Sequence, residues 1–283
     1  MWKQKLCMAV FRKPVGPTRV EQVHLIAEAG FDAYFLNWTR DGMEPSIRAG
    51  RECGLELQSV HAPFTYAAEF WGTDEQAAPA IRDYTACLHD CADVGAPIMV
   101  LHPYKGFGAN SGPNEAGVER FLRLAEEAKR LGVKLAAENV EGEDYLAAWM
   151  NASAGDPTVG FCWDSGHEMC YNHSRDMLAL YGDRLLCTHL NDNLGIRAYD
   201  GSIIGRDDLH LLPFDGIADW KYNAERLNRC GFDGILTFEL LNFSKSGRHD
   251  NDFYADLPLR QYYAMAYQRA CRVAALRGLW GRE

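Results

Sequence analysis

The sequence predicts an α/β fold, a closed (β/α)8 or TIM barrel, and three observations carry that prediction. The chain has 283 residues, near the ~250 that one such barrel typically needs. Eight short β-rich runs are separated by helical patterns. Six of the eight runs end in a residue type that binds metal ions. One barrel domain spanning residues 1–283 is expected.

The first run, KLCMAV (5–10), leads into the loop FRKPVGPT and then the helical pattern TRVEQVHLIAEAGF. Thr18 suits the N-cap of that helix, Glu21 completes a capping box, and Gly30 ends it. DAYFLN (32–37), LELQSV (55–60) and PIMVLH (97–102) are the next three strands. ERFLRLAEEAKRLG follows, with Phe121, Leu124, Ala125, Ala128 and Leu131 at helical spacing and Gly132 as terminator. Then come KLAAEN (134–139), VGFCWD (159–164) and LLCTHL (185–190). ERLNRCGFDG gives a last helix-to-strand junction at Gly231 before GILTFEL (234–240). Most of the runs are continuously apolar, as parallel strands covered on both faces require. An open doubly wound sheet is the competing architecture, and it often carries a glycine-rich nucleotide loop after its first strand. FRKPVGPT has neither GxGxxG nor GxxxxGK followed by Ser or Thr, so the closed barrel is preferred.

Composition narrows the function classes. Hydrophobic residues make up 47%, enough for a large core, yet no apolar run approaches the ~18 residues of a membrane span. MWKQKLCMAV lacks the pattern of a secretory leader, so a cytoplasmic protein is expected. The nine cysteines form no CxxC pair, and buried free thiols are expected. The net charge of −10 argues against a phosphate-gripping nucleic-acid binder. Arg12, Lys13 and Arg19 still supply a local basic rim in one loop.

The chemistry lies at the strand ends. His61, His102, Glu138, Asp164, His189 and Glu239 each end one strand, and barrel closure brings these ends around one axis. Any one of them alone reads as a hydrogen-bonded or solvated rim residue. Several carboxylates buried together need a counter-charge, and a shared cation supplies it. Carboxylates with imidazole make a hard, mixed site suited to Mn²⁺, Zn²⁺, Mg²⁺ or Co²⁺. Cys162 and Cys187 sit two residues before Asp164 and His189, on the same face but one layer deeper, and read as core filler. His167, Asp208 and His210 are further candidates. Asp192 is a candidate second carboxylate to orient His189. Asp207 and Asp215 read as a solvated acidic loop. His24, His89, His173 and His249 fall on helices or surface loops and receive no role. Trp38, Phe64, Tyr66 and Tyr104 are candidates for the apolar wall of a pocket.

From His61 to Glu239, and most strongly in the ordered series LHP, AEN, WDSGH, THLND, DLH and FEL, the chain resembles the xylose-isomerase-like barrel superfamily. That superfamily includes sugar isomerases and epimerases, inosose dehydratases, and abasic-site endonucleases of the endonuclease IV type. The resemblance implies one divalent metal held by Glu138, Asp164, His189 and Glu239. It implies that Glu138 and Glu239 also move a proton next to a substrate carbonyl, through a metal-stabilised enediolate. His61, His102, His167, Asp208 and His210 are then substrate-binding residues or ligands of additional metals. The expected activity is a metal-dependent isomerase or epimerase of a small sugar, keto-sugar or sugar phosphate. The resemblance also implies homo-oligomers, since such barrels often form dimers or tetramers.

Two alternatives share the site. All nine residue types of an endonuclease IV-like three-zinc phosphodiesterase are present. The flanking loops depart from that branch: PYKGFG replaces a Pro-Gly turn, NVEGED replaces a Thr-Ala-Gly-type loop, and FRKPVG lacks a small-residue run. An inosose dehydratase-like lyase shares the first chemical steps.

Overall fold

In the computed structural model, which describes residues 4–11, 17–107 and 111–278, eight parallel strands form a nearly closed barrel wrapped by helices. The elements run in the order β1 (Leu6–Val10), α1 (Arg19–Ala29), β2 (Ala33–Asn37), α2 (Glu44–Glu52), β3 (Glu56–His61), α3 (Asp74–Val94) and β4 (Ile98–Leu101). The second half runs α4 (Glu115–Leu131), β5 (Lys134–Glu138), α5 (Glu143–Ala152), β6 (Val159–Asp164), α6 (Ser165–Cys170), α7 (Met177–Tyr181) and β7 (Leu185–His189). It closes with α8 (Trp220–Arg229), β8 (Leu236–Phe238), α9 (Asp252–Ala255) and α10 (Leu259–Leu276).

All eight expected strands are present, and the capping box of Thr18 and Glu21 forms. Gly30 ends α1 at φ 108, where a Cβ would come within 2.9 Å of the Tyr267 ring, so both conformation and space require glycine. Six strands are shorter than expected, β4 and β8 the most: β4 stops at Leu101 and β8 covers only residues 236–238. His102 and Glu239 therefore lie one residue past their strands. Arg12 and Lys13 lie outside the described residues, and Arg19 belongs to α1 rather than to a loop.

Period two explains the continuous apolar runs. Leu6, Met8 and Val10 point outward into the layer between sheet and helices. Cys7 and Ala9 point inward, packed with Ala33 and Phe35. Across the lumen Val100, Ala136, Cys162 and Cys187 form a second inward layer of small side chains. Both faces of most strand positions are dry, so most of the strand residues are apolar. All nine cysteines are free, as expected.

The seam between β7 and β8 is narrow. Backbone pairing there reduces to the Leu190–Phe238 bridge, with Leu190 N–H donating to the Thr237 carbonyl at 2.7 Å and Glu239 N–H to the Leu190 carbonyl at 3.1 Å. Thr188 extends it with its side chain, whose hydroxyl accepts from the Thr237 N–H at 3.1 Å. That interaction should be visible in stability. Thr188→Val leaves a buried N–H unpaired and should cost about 1–3 kcal/mol, whereas Thr188→Ser should cost much less. Urea unfolding of both variants measures the difference, and equal losses would contradict this account of the seam.

Candidate metal centre

Pairing register sets the raw geometry. Asp164 pairs with His189 across β6 and β7, and Glu138 pairs with Cys162 across β5 and β6. Paired residues of parallel neighbours share a face, so all four aim into the barrel. Glu138, Asp164 and His189 are fully buried.

Glu138 is the hub. Its Oε2 lies 3.1 Å from His61 Nε2 and 3.3 Å from His102 Nε2. Its Oε1 lies 3.1 Å from His189 Nδ1 and 3.3 Å from His167 Nδ1. His189 Nδ1 is also 3.1 Å from Glu239 Oε2, so one imidazole nitrogen sits between two glutamates. Ligand atoms of Glu138, Asp164, His189 and Glu239 all lie within 4.8 Å of one another. Ligands about 2.0–2.2 Å from a common ion stand about 3–4.5 Å apart, so this donor set fits a divalent cation. Two flanking groups have the same reach, His61 with His102 and Glu138, and His167 with Asp208 and His210.

Residues that the sequence reading gave no role hold these ligands in place. Asn139 carries the ladder past the ends of β5 and β6. Its Nδ2 donates to the Asp164 carbonyl at 2.9 Å, and its Oδ1 accepts from Asp164 N–H at 2.8 Å. Asn191 Nδ2 lies 3.2 and 3.0 Å from the two Asp164 carboxylate oxygens and fixes that carboxylate's rotation. Gly166 makes room for it, because a Cβ there would fall 1.9 Å from Asn191 Oδ1. Phe35 stacks on the His189 ring, centroids 4.8 Å apart, and forms the floor. The Asn of AEN and the first Asn of HLND were in view in the sequence. Their partners were not, because those partners lie on neighbouring strands.

Asp192 does not orient His189. Its carboxylate accepts from the N–H groups of Asn193, Phe214 and Ala218 and from Trp220 Nε1, at 2.8–3.0 Å. It thereby folds the long connection between β7 and α8. A backbone pair between Asp192 and Leu211 brings Asp208 and His210 back over the barrel mouth. His210 takes φ 48, a left-handed value costly for a side-chain-bearing residue, and its Nδ1 lies 3.0 Å from the Glu239 carbonyl. Its Nε2 is 3.0 Å from Asp208. Asp207 is not solvated either: it is buried, and Arg248 Nη1 donates to it at 3.1 Å, tying the β7–α8 connection to the one after β8. Asp215 pairs with Arg269 at 2.9 Å and accepts from the Tyr254 hydroxyl.

Above the four-residue group is a cavity of about 450 Å³. Phe11, Trp38, Pro63, Phe64 and Leu241 wall it, and His61, His102, His167, Asp208, His210, Glu239 and Lys245 supply its polar surface. Trp38 and Phe64 are where the sequence placed an apolar wall. Tyr104 instead stacks on Tyr145, centroids 4.2 Å apart, and neither it nor Tyr66 lines the cavity. Glu239 borders the cavity, whereas Glu138 lies behind His61, His102 and His167.

Electrostatics follow from burial against close pairing. Burial would raise the Glu138 pKa, but the charge of His189 and hydrogen bonds from His102, His167 and His189 hold it well below the carboxylate range. The same contest, decided by His189 and His210, brings Glu239 down to about 2. Burial pushes Asp164 up to about 6, and the Glu138 and Glu239 charges add to that. Burial would lower His189, but the two glutamates raise it well above the usual imidazole value. His102, for which burial prevails, falls to about 4. The His189 imidazolium is thus the internal counter-charge where the four donors meet. Burial keeps the Cys162 thiol well above its ordinary value, so it remains a neutral neighbour of the group.

A family model described as xylose isomerase-like TIM barrel matches residues 23–258. The chain belongs to that family. It is 27% identical to the uncharacterized protein y4fM of Sinorhizobium fredii, over 87% of this chain and 90% of that protein. Among solved structures it superposes on the IOLI protein with a binding zinc atom at TM-score 0.74 and 17% identity, covering 96% of this chain and 98% of that one. D-psicose 3-epimerase with D-tagatose from Clostridium cellulolyticum H10 gives TM-score 0.68 and 13% identity, covering 97% and 98%. The chain spans 41% of a xylose isomerase-like TIM barrel/4-hydroxyphenylpyruvate dioxygenase fusion protein, at TM-score 0.69 and 18% identity over 93% of this chain. Similarity at these identities shows the fold.

Proton competition gives a direct test of the site. An ion taking the place of the His189 proton must release it, so Zn²⁺ binding at pH 7 should release about one proton per ion. Asp164, ionised only above about 6, should add to that release as pH falls toward 6. The sign is fixed: protons compete, so apparent affinity weakens as pH falls. Calorimetry in buffers of different ionisation enthalpy measures the release, and proton-neutral binding at pH 7 would contradict this arrangement.

Proposed function

We propose that this protein is a divalent-metal-dependent isomerase or epimerase of a small sugar, keto-sugar or sugar phosphate. One observation carries the reading: two glutamates, Glu138 and Glu239, flank a single buried imidazole within a four-donor group beneath a small, partly aromatic cavity. The sugar epimerases among the structures that share the fold support the same class.

The proposed ligands are Glu138, Asp164, His189 and Glu239, with Mn²⁺ or Zn²⁺ the best-suited ions and Mg²⁺ or Co²⁺ acceptable. When bound, the ion supplies Lewis acidity, drawing electron density from carbonyl and hydroxyl oxygens so that the carbon beside the carbonyl becomes acidic. The remaining work belongs to side chains. Glu239, ionised and bordering the cavity, takes the proton from that carbon, and the electron pair moves toward the carbonyl oxygen. Glu138 is the partner carboxylate on the far side of His189 and behind His61, His102 and His167, and a proton passed to the substrate from that side through one of those histidines gives inversion or isomerisation. His61, His102, His167 and His210 line the polar part of the cavity, and Trp38 and Phe64 cover the apolar faces of the substrate. Asn191, for which Gly166 makes room, keeps the Asp164 carboxylate from rotating, and Asn139 holds the Asp164 backbone.

A zinc phosphodiesterase is the second reading, favoured by the two flanking donor groups. Multi-ion chemistry would clamp attacking and leaving oxygens there. The net charge of −10 and the departures in the flanking loops weigh against a DNA substrate. A lyase of inositol-like substrates shares the proton-abstraction step.

Proton transfer at carbon is directly measurable. Mn²⁺-loaded protein incubated with a ketose panel in deuterated water should place deuterium on the carbon beside the carbonyl of at least one sugar. Glu239→Gln should slow this by about 10²–10⁴-fold while leaving the barrel folded. Absence of deuterium from every sugar of the panel would overturn the proposal.

A further inference from the structure

The group formed by His167, Asp208 and His210 has ligand-like spacing, but a cation already sits on it. Lys245 Nζ donates to Asp208 Oδ2 at 3.1 Å, and the lysine side chain is 28% exposed, lying along the cavity wall. Asp208 itself is buried, and His210 Nε2 approaches it at 3.0 Å and His167 Nε2 at 3.6 Å. The lysine is delivered there by structure. It stands on the connection after β8, which Arg248 ties to Asp207, the residue next to Asp208, and which Leu241 N–H ties to the His210 carbonyl at 3.0 Å. The connections that carry Lys245 and Asp208 are therefore tied together at two points.

We propose that the Lys245 ammonium is a built-in cation that takes the place of a metal ion at His167, Asp208 and His210. A divalent ion bound there would lie within a few ångströms of a fixed positive charge and would lose one oxygen of its only carboxylate ligand to that charge. The neighbouring group of Glu138, Asp164, His189 and Glu239 has no lysine or arginine hydrogen-bonded to it among the described contacts, and it keeps its need for an ion. The inference rests on the metal reading of the proposed function and deepens it. With Lys245 in place, this flank of the cavity is a charged hydrogen-bonding wall for the substrate, and the ion-clamp chemistry of a three-metal phosphodiesterase is closed to it.

The test counts ions. Full-length protein is stripped with a chelator, reloaded with Zn²⁺, desalted and measured by elemental analysis and titration calorimetry, with circular dichroism to verify folding. Lys245→Met should bind one more Zn²⁺ per chain than the wild type. Lys245→Arg, which keeps the charge, should hold the wild-type number. The double variant Lys245→Met/Asp208→Asn should lose the gain. Asp208→Asn alone, which leaves Lys245 untouched, should leave the wild-type count unchanged. An unchanged count in Lys245→Met, a gain in Lys245→Arg, or a loss of one ion in Asp208→Asn would each overturn the proposal. A wild-type count of zero would instead overturn the metal reading, and the Lys245→Met comparison would still judge the role of Lys245.

Discussion

The buried carboxylate of Glu138 is the constraint on which the site depends. A carboxylate with no exposure must be met by positive charge or by donors, and here four imidazoles converge on its two oxygens. Those imidazoles come from the ends of β3, β4 and β7 and from α6, so one side chain fixes the relation of half the barrel's strand ends. Asp164 and Glu239 add two more acids to the same small volume. Protons on histidine balance the cluster, and the proposed cation would take over that role.

Support of the site is separate from its chemistry. Asn139 and Asn191 extend the sheet's hydrogen bonding beyond its last backbone rung and turn it toward Asp164. Asp192 and Arg248 organise the two long connections at the barrel mouth. The strained backbone at His210 is held by contacts to the Glu239 and Leu241 backbone. These loops set which polar groups line the cavity, while the strand ends carry the four-donor group. That division lets one barrel serve several chemistries.

Much of this was legible beforehand. Alternating strand and helix patterns gave all eight strands, because both faces of a parallel strand are dry and the chain writes that as unbroken apolar runs. The strand-end positions of the metal-type residues were visible for the same reason: a charged or imidazole side chain closing such a run marks where the strand leaves the core. Asp192, Asp207 and Tyr104 were misread because each lies in a connection. A carboxylate in a loop looks the same in sequence whether it faces water, as expected for Asp207, or accepts a guanidinium N–H from Arg248, as it does. Tyr104 follows a strand end as Trp38 does, yet it turns away to stack on Tyr145.

By itself, then, the sequence determined the barrel, its strand order of appearance, and the nine residues able to gather at one end. Local periodicity and residue type suffice for that. Tertiary structure alone decided that three of the nine share Glu138 as their acceptor besides His189, and that Glu239 and not Glu138 borders the cavity. It also decided that Lys245, 37 residues beyond Asp208, stands on that carboxylate. The reason is physical: these facts depend on distances between side chains carried by different strands and loops, which closure of the barrel sets and no local pattern records.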